Sequence, residues 1–191
     1  MVDAQADSND YAGLGYCGID YAPNLWMPLG FPMLFPLREN TSDCVEDKNS
    51  QYNSDNNDTL LATCSTFAQE EWQLNIFPLN SSTYYAMVNV GDGYALDIYA
   101  GHINGSGVGV VDLATANGTP AQQWFFASEA ATPGGSVLIE SGLNSGGSCL
   151  DLQGNYVNLL TPFDAYSCNS GSGNGNNNAQ LFTPYIVGFP H

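Results

Sequence analysis

The chain has 191 residues, which is enough for one ordinary domain and an appendage. It carries 19 acidic residues against only two basic ones, so its formal net charge is −17. Nucleic acids and anionic membranes bind through basic patches and released counterions, which Arg38 and Lys48 cannot supply, and both are therefore excluded as partners. The acidity indicates a soluble surface, with electrostatic capture of a cationic partner as the alternative.

We assign residues 1–41 to an N-terminal extension. Residues 2–10 are polar and acidic, so no signal peptide is visible there. Residues 24–37 are apolar enough to suggest a membrane span, but prolines at about one-turn intervals cannot all sit inside a helix, and we expect no membrane insertion. We expect an extended Pro-rich strap that covers the barrel or docks a second subunit. The odd thiol, Cys17, could stay free, join another cysteine or pair between chains in a homo-oligomer.

The remainder of the chain has the texture of an all-β protein. Gly, Asn, Ser and Asp recur every several residues, and short runs of aliphatic and aromatic residues fill the gaps. No window shows a sustained 3.6-residue apolar period with caps, so helix content should be low. Strands are predicted at 84–90, 94–100, 107–114, 136–140 and 156–160.

Three passages resemble one another. Each opens with a small residue, an aliphatic and an acid, and each closes with an aromatic two places after Gln or Glu. The passages run over residues 44–72, 95–124 and 149–182, so their openings lie 51 and 54 residues apart and their closings 52 and 58 apart. Repeats of this size predict units that share one core. We expect the closing aromatics Trp72, Trp124 and Phe182 to pack in that core around a threefold axis.

The third passage carries a family resemblance. Its opening Cys-Leu-Asp-Leu at 149–152, a second Cys about a strand later and a QxW-type ending resemble the ricin-type β-trefoil lectins over roughly residues 42–185. The resemblance implies a threefold barrel of short strands with at most one shallow sugar site per repeat. The predicted fold is therefore all-β, a β-trefoil of three QxW-type repeats at residues 42–191 that follows the N-terminal extension.

Cysteines and glycan acceptors indicate the compartment. Cys44 and Cys64 lie 20 residues apart, Cys149 and Cys168 lie 19 apart, and both pairs occupy the place where Ala95 and Ala114 stand in the second repeat. We predict two disulfides within repeats, each stabilising by ~2 to 4 kcal/mol. Five N-glycosylation acceptors accompany them, and secretion accounts for both features. The acceptors are Asn40, Asn57, Asn80, Asn104 and Asn117.

The resemblance implies a sugar site in the third repeat. A hexose needs an aromatic platform beside carboxylate or amide groups that bind its hydroxyls. In the ricin-type pattern Asp151 is the acid after the opening Cys, Asp164 lies four places before the closing Cys and Tyr166 is the stacking aromatic. Gln180 opens the ending, and Asn178 is one place from the expected Asn, where Ala179 stands.

The other two repeats match the pattern less well. The second keeps Asp97 and Gln122 but has Asp112 where the aromatic should be, with Tyr99 or His102 as substitute platforms. The first is expected to be purely structural, because its corresponding residues depart from the pattern; they are Glu46, Ala62 and Glu70. For every one of these acids, the alternative is a turn-forming residue that caps backbone N–H groups.

Catalytic motifs are weak. Two histidines, with no HExxH and no CxxC, make a zinc site improbable, and no cofactor is implied. The GxGxxG match at 13–18 has no preceding apolar strand, and the acidic stretch at 53–58 lacks the Gly and Glu of a calcium loop.

We therefore predict a secreted, non-enzymatic protein that binds glycans, of galactose type by family analogy. The first alternative is a β-trefoil that has lost sugar binding and serves as a protein-interaction, protease-inhibitor or structural module. The second alternative is a glycoside hydrolase or its carbohydrate-binding module, since acids at the required separation of ~5 to 10 Å cannot be recognised from sequence.

Overall fold

The computed structural model describes residues 19–22, 25–27, 29–48, 59–76, 84–128, 136–143, 147–169 and 179–188. These residues form short β-strands joined by turns, and no α-helix lies among them. The helical segments that they contain are single 3-10 turns, such as Tyr99–Gly101 and Gln153–Asn155. The all-β class predicted from the sequence is confirmed. None of the described residues belongs to a helix long and apolar enough to cross a membrane.

The strands follow one another in chain order. They are β1 (Ile19–Ala22), β2 (Leu25–Met27), β3 (Met33–Leu34), β4 (Asp43–Asp47), β5 (Thr59–Thr63), β6 (Trp72–Ile76), β7 (Tyr85–Asn89), β8 (Tyr94–Ile98), β9 (Gly109–Thr115), β10 (Trp124–Ser128), β11 (Val137–Ser141), β12 (Ser148–Leu152), β13 (Phe163–Ser167) and β14 (Tyr185–Ile186). Ten of them form one sheet in the order β10-β11-β12-β13-β9-β8-β7-β6-β3-β14. An additional pairing of β10 with β7 closes this sheet into a barrel, while β1–β2 and β4–β5 form separate hairpins.

Three hairpins share one antiparallel register. The pairs Cys44↔Ala62 in β4–β5, Ala95↔Ala114 in β8–β9 and Cys149↔Tyr166 in β12–β13 occupy the same place in each. Paired residues in an antiparallel ladder lie on the same face, and the next residue along each strand points to the other face. The three hairpins can therefore be compared position by position.

The core lies between these hairpins, and the three closing aromatics are part of it. Trp72, Trp124 and Phe182 are each fully buried, which confirms the prediction that they are core residues. The indole N–H of Trp72 donates to the carbonyl of Val45 at 3.0 Å. Phe182 instead forms reciprocal backbone hydrogen bonds with Val137, at 2.8 and 3.0 Å.

Both predicted disulfides are confirmed. Cys44 bonds to Cys64 and Cys149 bonds to Cys168, with Cα–Cα distances of 4.9 Å in each pair. In the second repeat the predicted counterpart Ala95 is confirmed, but Ala114 is wrong by two positions. Since Ala95 pairs with Ala114 as Cys149 pairs with Tyr166, the residue that corresponds to Cys168 is Ala116.

The predicted strand at 156–160 is also wrong, whereas observed strands overlap the other four predicted ranges. Residues 156–160 form an exposed turn in which Leu160 has a left-handed φ of 67°. The turn is held by its backbone, because Leu160 N–H donates to the carbonyl of Leu61 and Leu61 N–H donates to that of Thr161. The strand begins only at Phe163.

The apolar N-terminal segment is extended where it is described, and part of it enters the core. Met33 pairs with both Ile186 and Trp72, so β3 joins β14 to β6. Phe35 and Leu37 follow β3 and are fully buried in the shared core. Residues 33–37 thus pack inside the barrel. Cys17 lies outside the described residues.

Candidate functional site

The β12–β13 hairpin, which we call the third hairpin, brings together three of the predicted sugar-site residues. Asp151 pairs with Asp164, and the neighbouring pair on the same face is Cys149 with Tyr166. The pairs on the other face, Leu150↔Ala165 and Leu152↔Phe163, are buried in the core. Cross-strand neighbours have Cβ atoms ~5 Å apart and diagonal ones ~7 to 8 Å apart. Both acids and the tyrosine therefore lie within reach of one small ligand.

The two aspartates, which we call the acid pair, are sheltered from water but incompletely bonded. Asp151 is 4% exposed and Asp164 is half-buried. The Oδ1 atom of each is buried and has no hydrogen-bond partner. Buried polar atoms in proteins are nearly always paired, and an unpaired one costs about 1 to 3 kcal/mol. The acid pair therefore has unused hydrogen-bonding capacity.

Burial shifts both carboxyl groups toward their protonated forms. Burial first and the charge of the neighbouring Asp164 second raise the pKa of Asp151 to about 7, against the opposing hydrogen bonds from Gln180 and from the Leu152 backbone. Burial also raises the pKa of Asp164 to about 6. Such perturbed groups beside an exposed surface are typical of functional sites.

Tyr166 provides the exposed aromatic. Its side chain is 44% exposed, whereas Ala165 and Phe163 of the same strand point to the other face and are buried. Val110 of β9, which pairs with Asp164, is 39% exposed. An aromatic ring and an aliphatic side chain thus border the acid pair on the solvent side.

Gln180 is buried below the surface, whereas a residue that binds sugar hydroxyls directly would be exposed. It is fully buried, its Oε1 accepts from the N–H of Asn169 at 3.0 Å, and its Nε2 donates to the carbonyl of Ser167 at 3.2 Å. It also bonds Asp151. Its visible role is to hold the end of β13 and to orient Asp151. Asn178 lies outside the described residues.

The second repeat contains a matching acid pair, and its alignment with the third hairpin needs correction. Asp97 pairs with Asp112 as Asp151 pairs with Asp164. Asp112 therefore corresponds to Asp164 and not to the stacking aromatic, as the sequence had suggested; Ala114 stands in the aromatic position. Sequence counting failed because the hairpin in the second repeat is two residues longer.

The bonding of the second acid pair also resembles that of the third. Burial raises the pKa of Asp97, and a hydrogen bond from Gln122 opposes the shift. Gln122 is fully buried, accepts from the N–H of Asn117 at 2.8 Å and donates to the carbonyl of Thr115 at 3.0 Å. Because Ala114 cannot stack on a sugar, the second repeat has the acid pair and the buried glutamine but no aromatic at the position of Tyr166.

In the described strands β4 and β5 of the first repeat, no acid pair lies across the hairpin and no aromatic stands at the position of Tyr166. Glu46 pairs with Leu60, and Ala62 stands at the position of Tyr166. Glu70 takes the place of the buried glutamine and accepts from the N–H of Ser65. Burial raises the pKa of Glu46, and the charge of Glu70 raises it further. These contacts are consistent with the structural role expected from the sequence.

One feature near the acid pair was missed in the sequence. The 3-10 turn after β12 has left-handed φ values at Gly154 (69°) and Asn155 (57°), and it matches the turn at Ala100 (54°) and Gly101 (61°). A Cβ on Gly154 would lie 2.8 Å from the Tyr156 ring. Glycine thus allows both the turn and the position of Tyr156, which is 66% exposed. A Gly-Asn turn followed by an aromatic was the available signal.

A metal site has little support in the described part of the chain. The group with ligand-like spacing comprises Glu140, Cys149 and Cys168. Because these two cysteines form a disulfide, they offer no thiolate to a metal.

No protein-family model matches the sequence, and no curated protein matches it. Solved structures do match. The designed 3-fold symmetric protein ThreeFoil superposes with a TM-score of 0.64 at 18% identity, covering 82% of this chain and 99% of its own. The BEL β-trefoil has a TM-score of 0.61 at 16% identity, covering 88% and 100% of the two chains.

A lectin of Polyporus squamosus is also similar in structure. Its TM-score is 0.57 at 13% identity, and the match covers 84% of this chain but only 51% of the lectin chain. That lectin was solved bound to the epitope Neu5Acα2-6Galβ1-4GlcNAc. At these identities the comparisons show the fold alone. The closed barrel, the three hairpins in one register and these neighbours define the protein as a β-trefoil.

Proposed function

We propose that the protein is a secreted, non-enzymatic lectin-like protein whose best sugar site is the outer face of the third hairpin. The observation that carries this proposal is the acid pair: two buried carboxyl oxygens without partners lie on the same face as the exposed ring of Tyr166. The second repeat, through Asp97 and Gln122, is proposed as a weaker site at most.

The proposal follows from what a hexose presents. One face of the ring carries C–H groups that stack on an aromatic, and its rim carries hydroxyls that both donate and accept. Tyr166 would stack on the ring, while the carboxyl groups of Asp151 and Asp164, which lie on the same face, would bind hydroxyls. Gln180 would orient Asp151, and Asn178 is proposed to complete the rim.

Galactose-type specificity comes from the family resemblance, and the carbohydrate-bound neighbour supports glycan binding in general. Secretion is supported by the two disulfides, which are typical of proteins outside the cytosol. Asn104 and Asn117 are the best proposed glycosylation sites, because both are exposed. The Nδ2 of Asn40 already donates to Asp43 at 2.6 Å, and Asn57 and Asn80 lie outside the described residues.

Glycan-array binding tests the proposal. We expect the wild-type protein to bind terminal galactose-type glycans and the Asp151→Ala and Tyr166→Ala variants to lose that binding. Phe67→Ala is the matched control, because Phe67 is another exposed aromatic, 69% exposed, in the first repeat. Equal binding by all four proteins would place any sugar site elsewhere. No binding by the wild type would refute the lectin function.

A second candidate function rests on a separate observation. Tyr156, Leu159 and Leu160 are 66%, 53% and 72% exposed in the turn between β12 and β13. Adjacent exposed apolar side chains favour a protein-interaction surface. An empty array together with tight binding to a protein, lost in Leu159→Ser, would favour this function. Release of reducing sugar from a glycan would instead favour a hydrolase.

A further inference from the structure

The acid pair raises an electrostatic problem that the free protein must solve. Two ionised carboxylates directly opposite each other on neighbouring strands repel, and burial removes the water that would screen them. Asp151 and Asp164 are in this position, and each has a buried Oδ1 with no hydrogen-bond partner. A counter-charge or a proton must therefore be present before both groups can be buried together.

Among the described residues, no cation is a counter-charge to the acid pair. The described cations, Arg38 and Lys48, are both exposed, and neither is among the groups that shift the pKa of either acid. Arg38 is the nearer of the two in the fold, because its backbone N–H donates to the carbonyl of Leu181. The histidine described, His102, is in the exposed turn between β8 and β9. The titratable groups on the elements packed around the pair are acids or phenols; they are Asp112 on β9, Glu140 on β11, Tyr166 on β13 and Tyr156 in the turn after β12.

We propose that Asp151 and Asp164 hold one proton between them, and that this singly protonated pair is the form that binds a sugar hydroxyl. The inference rests on the proposed function for its ligand, but the shared proton belongs to the free protein. A carboxyl donates one hydrogen bond and a carboxylate accepts, so the pair matches a hydroxyl that must do both. Asp151 and Asp164 thereby act together as a specificity-determining pair, in which one carboxyl group donates and the other accepts.

The raised pKa values of the two groups, about 7 and about 6, agree with this proposal. Between these values the pair carries one proton on average, and above them it is doubly ionised. Binding that needs the proton should weaken about tenfold for each pH unit above the higher pKa. Below the lower pKa both groups are neutral, and binding should weaken because no charged acceptor remains.

The first test uses the free protein and no glycan. Side-chain carboxyl carbons of aspartate are followed by NMR from pH 3 to pH 9. We expect the signals of Asp151 and Asp164 to titrate mainly between pH 5 and pH 8, while ordinary aspartates finish near pH 5, about one unit above the usual pKa. If both aspartates are fully ionised at pH 5, the shared proton is refuted whether or not the protein binds sugar.

The second test measures galactose affinity by calorimetry from pH 5 to pH 9. The wild type should pass through a maximum between about pH 6 and pH 7. Asp151→Asn should still bind, because its amide N–H replaces the donor of the carboxyl group with the higher pKa, but its affinity should stay constant above pH 7. Asp164→Ala should lose binding. If Asp151→Asn retains the alkaline decline, the pair does not carry the proton and the proposal fails.

Two further outcomes would attribute the loss of binding at alkaline pH to a group other than the acid pair. Glu140→Gln tests the other nearby acid, whose pKa is raised by burial. Loss of the alkaline decline in this variant would move the proton to Glu140 and overturn the proposal. Recovery of binding at pH 8 on adding Ca²⁺, reversed by EDTA, would show that a cation neutralises the pair and would also overturn it. If galactose does not bind at any pH, the lectin function fails, while the NMR titration still decides the shared proton.

Discussion

The indole N–H of Trp124 donates to the backbone carbonyl of Leu96 at 2.9 Å, across 28 positions of the chain. Trp72 makes the same bond to Val45, which occupies the same place in the first hairpin as Leu96 does in the second. Phe182 closes the third repeat and has no donor in its side chain. In the first and second repeats, a buried hydrogen bond thus joins the closing tryptophan to the opening strand of the same repeat.

Trp124→Phe tests the energetic value of that bond. The ring stays in the core, but the carbonyl of Leu96 loses a buried donor, so we expect a loss of about 1 to 2 kcal/mol in the free energy of unfolding. Trp124→Ala should cost about 3 to 5 kcal/mol, because it also leaves a cavity. Urea denaturation measures both. Equal stability of Trp124→Phe and the wild type would show that the bond contributes nothing.

The shared register predicts a third disulfide. Ala95 and Ala116 occupy the positions of Cys149 and Cys168, so Ala95→Cys with Ala116→Cys should crosslink and stabilise the protein by ~2 to 4 kcal/mol. Mass spectrometry of peptides identifies the bond, and thermal unfolding measures its effect. The matched control is Ala95→Cys with Ala114→Cys. Better crosslinking in the control would contradict the register correspondence.

Glu70→Gln should stabilise the first repeat. Gln122 and Gln180 each accept from one backbone N–H and donate to one carbonyl, whereas Glu70 can only accept. A glutamine should gain a hydrogen bond to the carbonyl of Thr63, worth ~1 kcal/mol, and should relieve repulsion with Glu46. Chemical denaturation at pH 7 measures the gain. A less stable variant would show that the buried carboxylate has a partner that an amide cannot satisfy.

Folding stability should decline as the pH rises from about 4 to about 8. Acids with raised pKa values hold protons more tightly in the folded state, so their contribution is complete below the unfolded pKa and is lost as the pH passes the folded pKa. For Asp151 this window runs from its usual value of 3.8 to about 7, and Asp43, Glu46, Asp97, Glu140 and Asp164 are shifted in the same direction.

Melting temperatures measured from pH 4 to pH 8 test whether stability falls as the pH rises. Asp151→Asn should reduce the slope, because it removes the group with the highest of these carboxyl pKa values. A melting temperature that rises steadily from pH 5 to pH 8 would contradict the raised pKa values. So would an Asp151→Asn variant with the slope of the wild type.

The sequence predicted the parts of this fold that repeat locally. Short apolar runs between turn residues predicted four strands, the matching places of the cysteine pairs predicted both disulfides, and the closing aromatics predicted part of the core. These features depend on short-range periodicity and on motifs that recur three times.

Features set by register and burial could not be predicted in the same way. Asp97 and Asp112 are 15 positions apart while Asp151 and Asp164 are 13 apart, so counting from the opening acid misaligned the second repeat. The burial of Gln180 depends on the carbonyl of Ser167, which it meets only after the barrel closes. The turn at 156–160 has an apolar run like a strand, and only its tertiary contacts with Leu61 decide its conformation.

Amide NMR spectra during titration with galactose test the central claim most directly. If the third hairpin is the sugar site, the largest shifts should occur at Asp151, Asp164 and Tyr166, with smaller ones at Asp97 and none at Glu46. Shifts centred on the first repeat, or a spectrum unchanged by galactose and by the other glycans of the array, would contradict the assignment of sugar binding to the third hairpin.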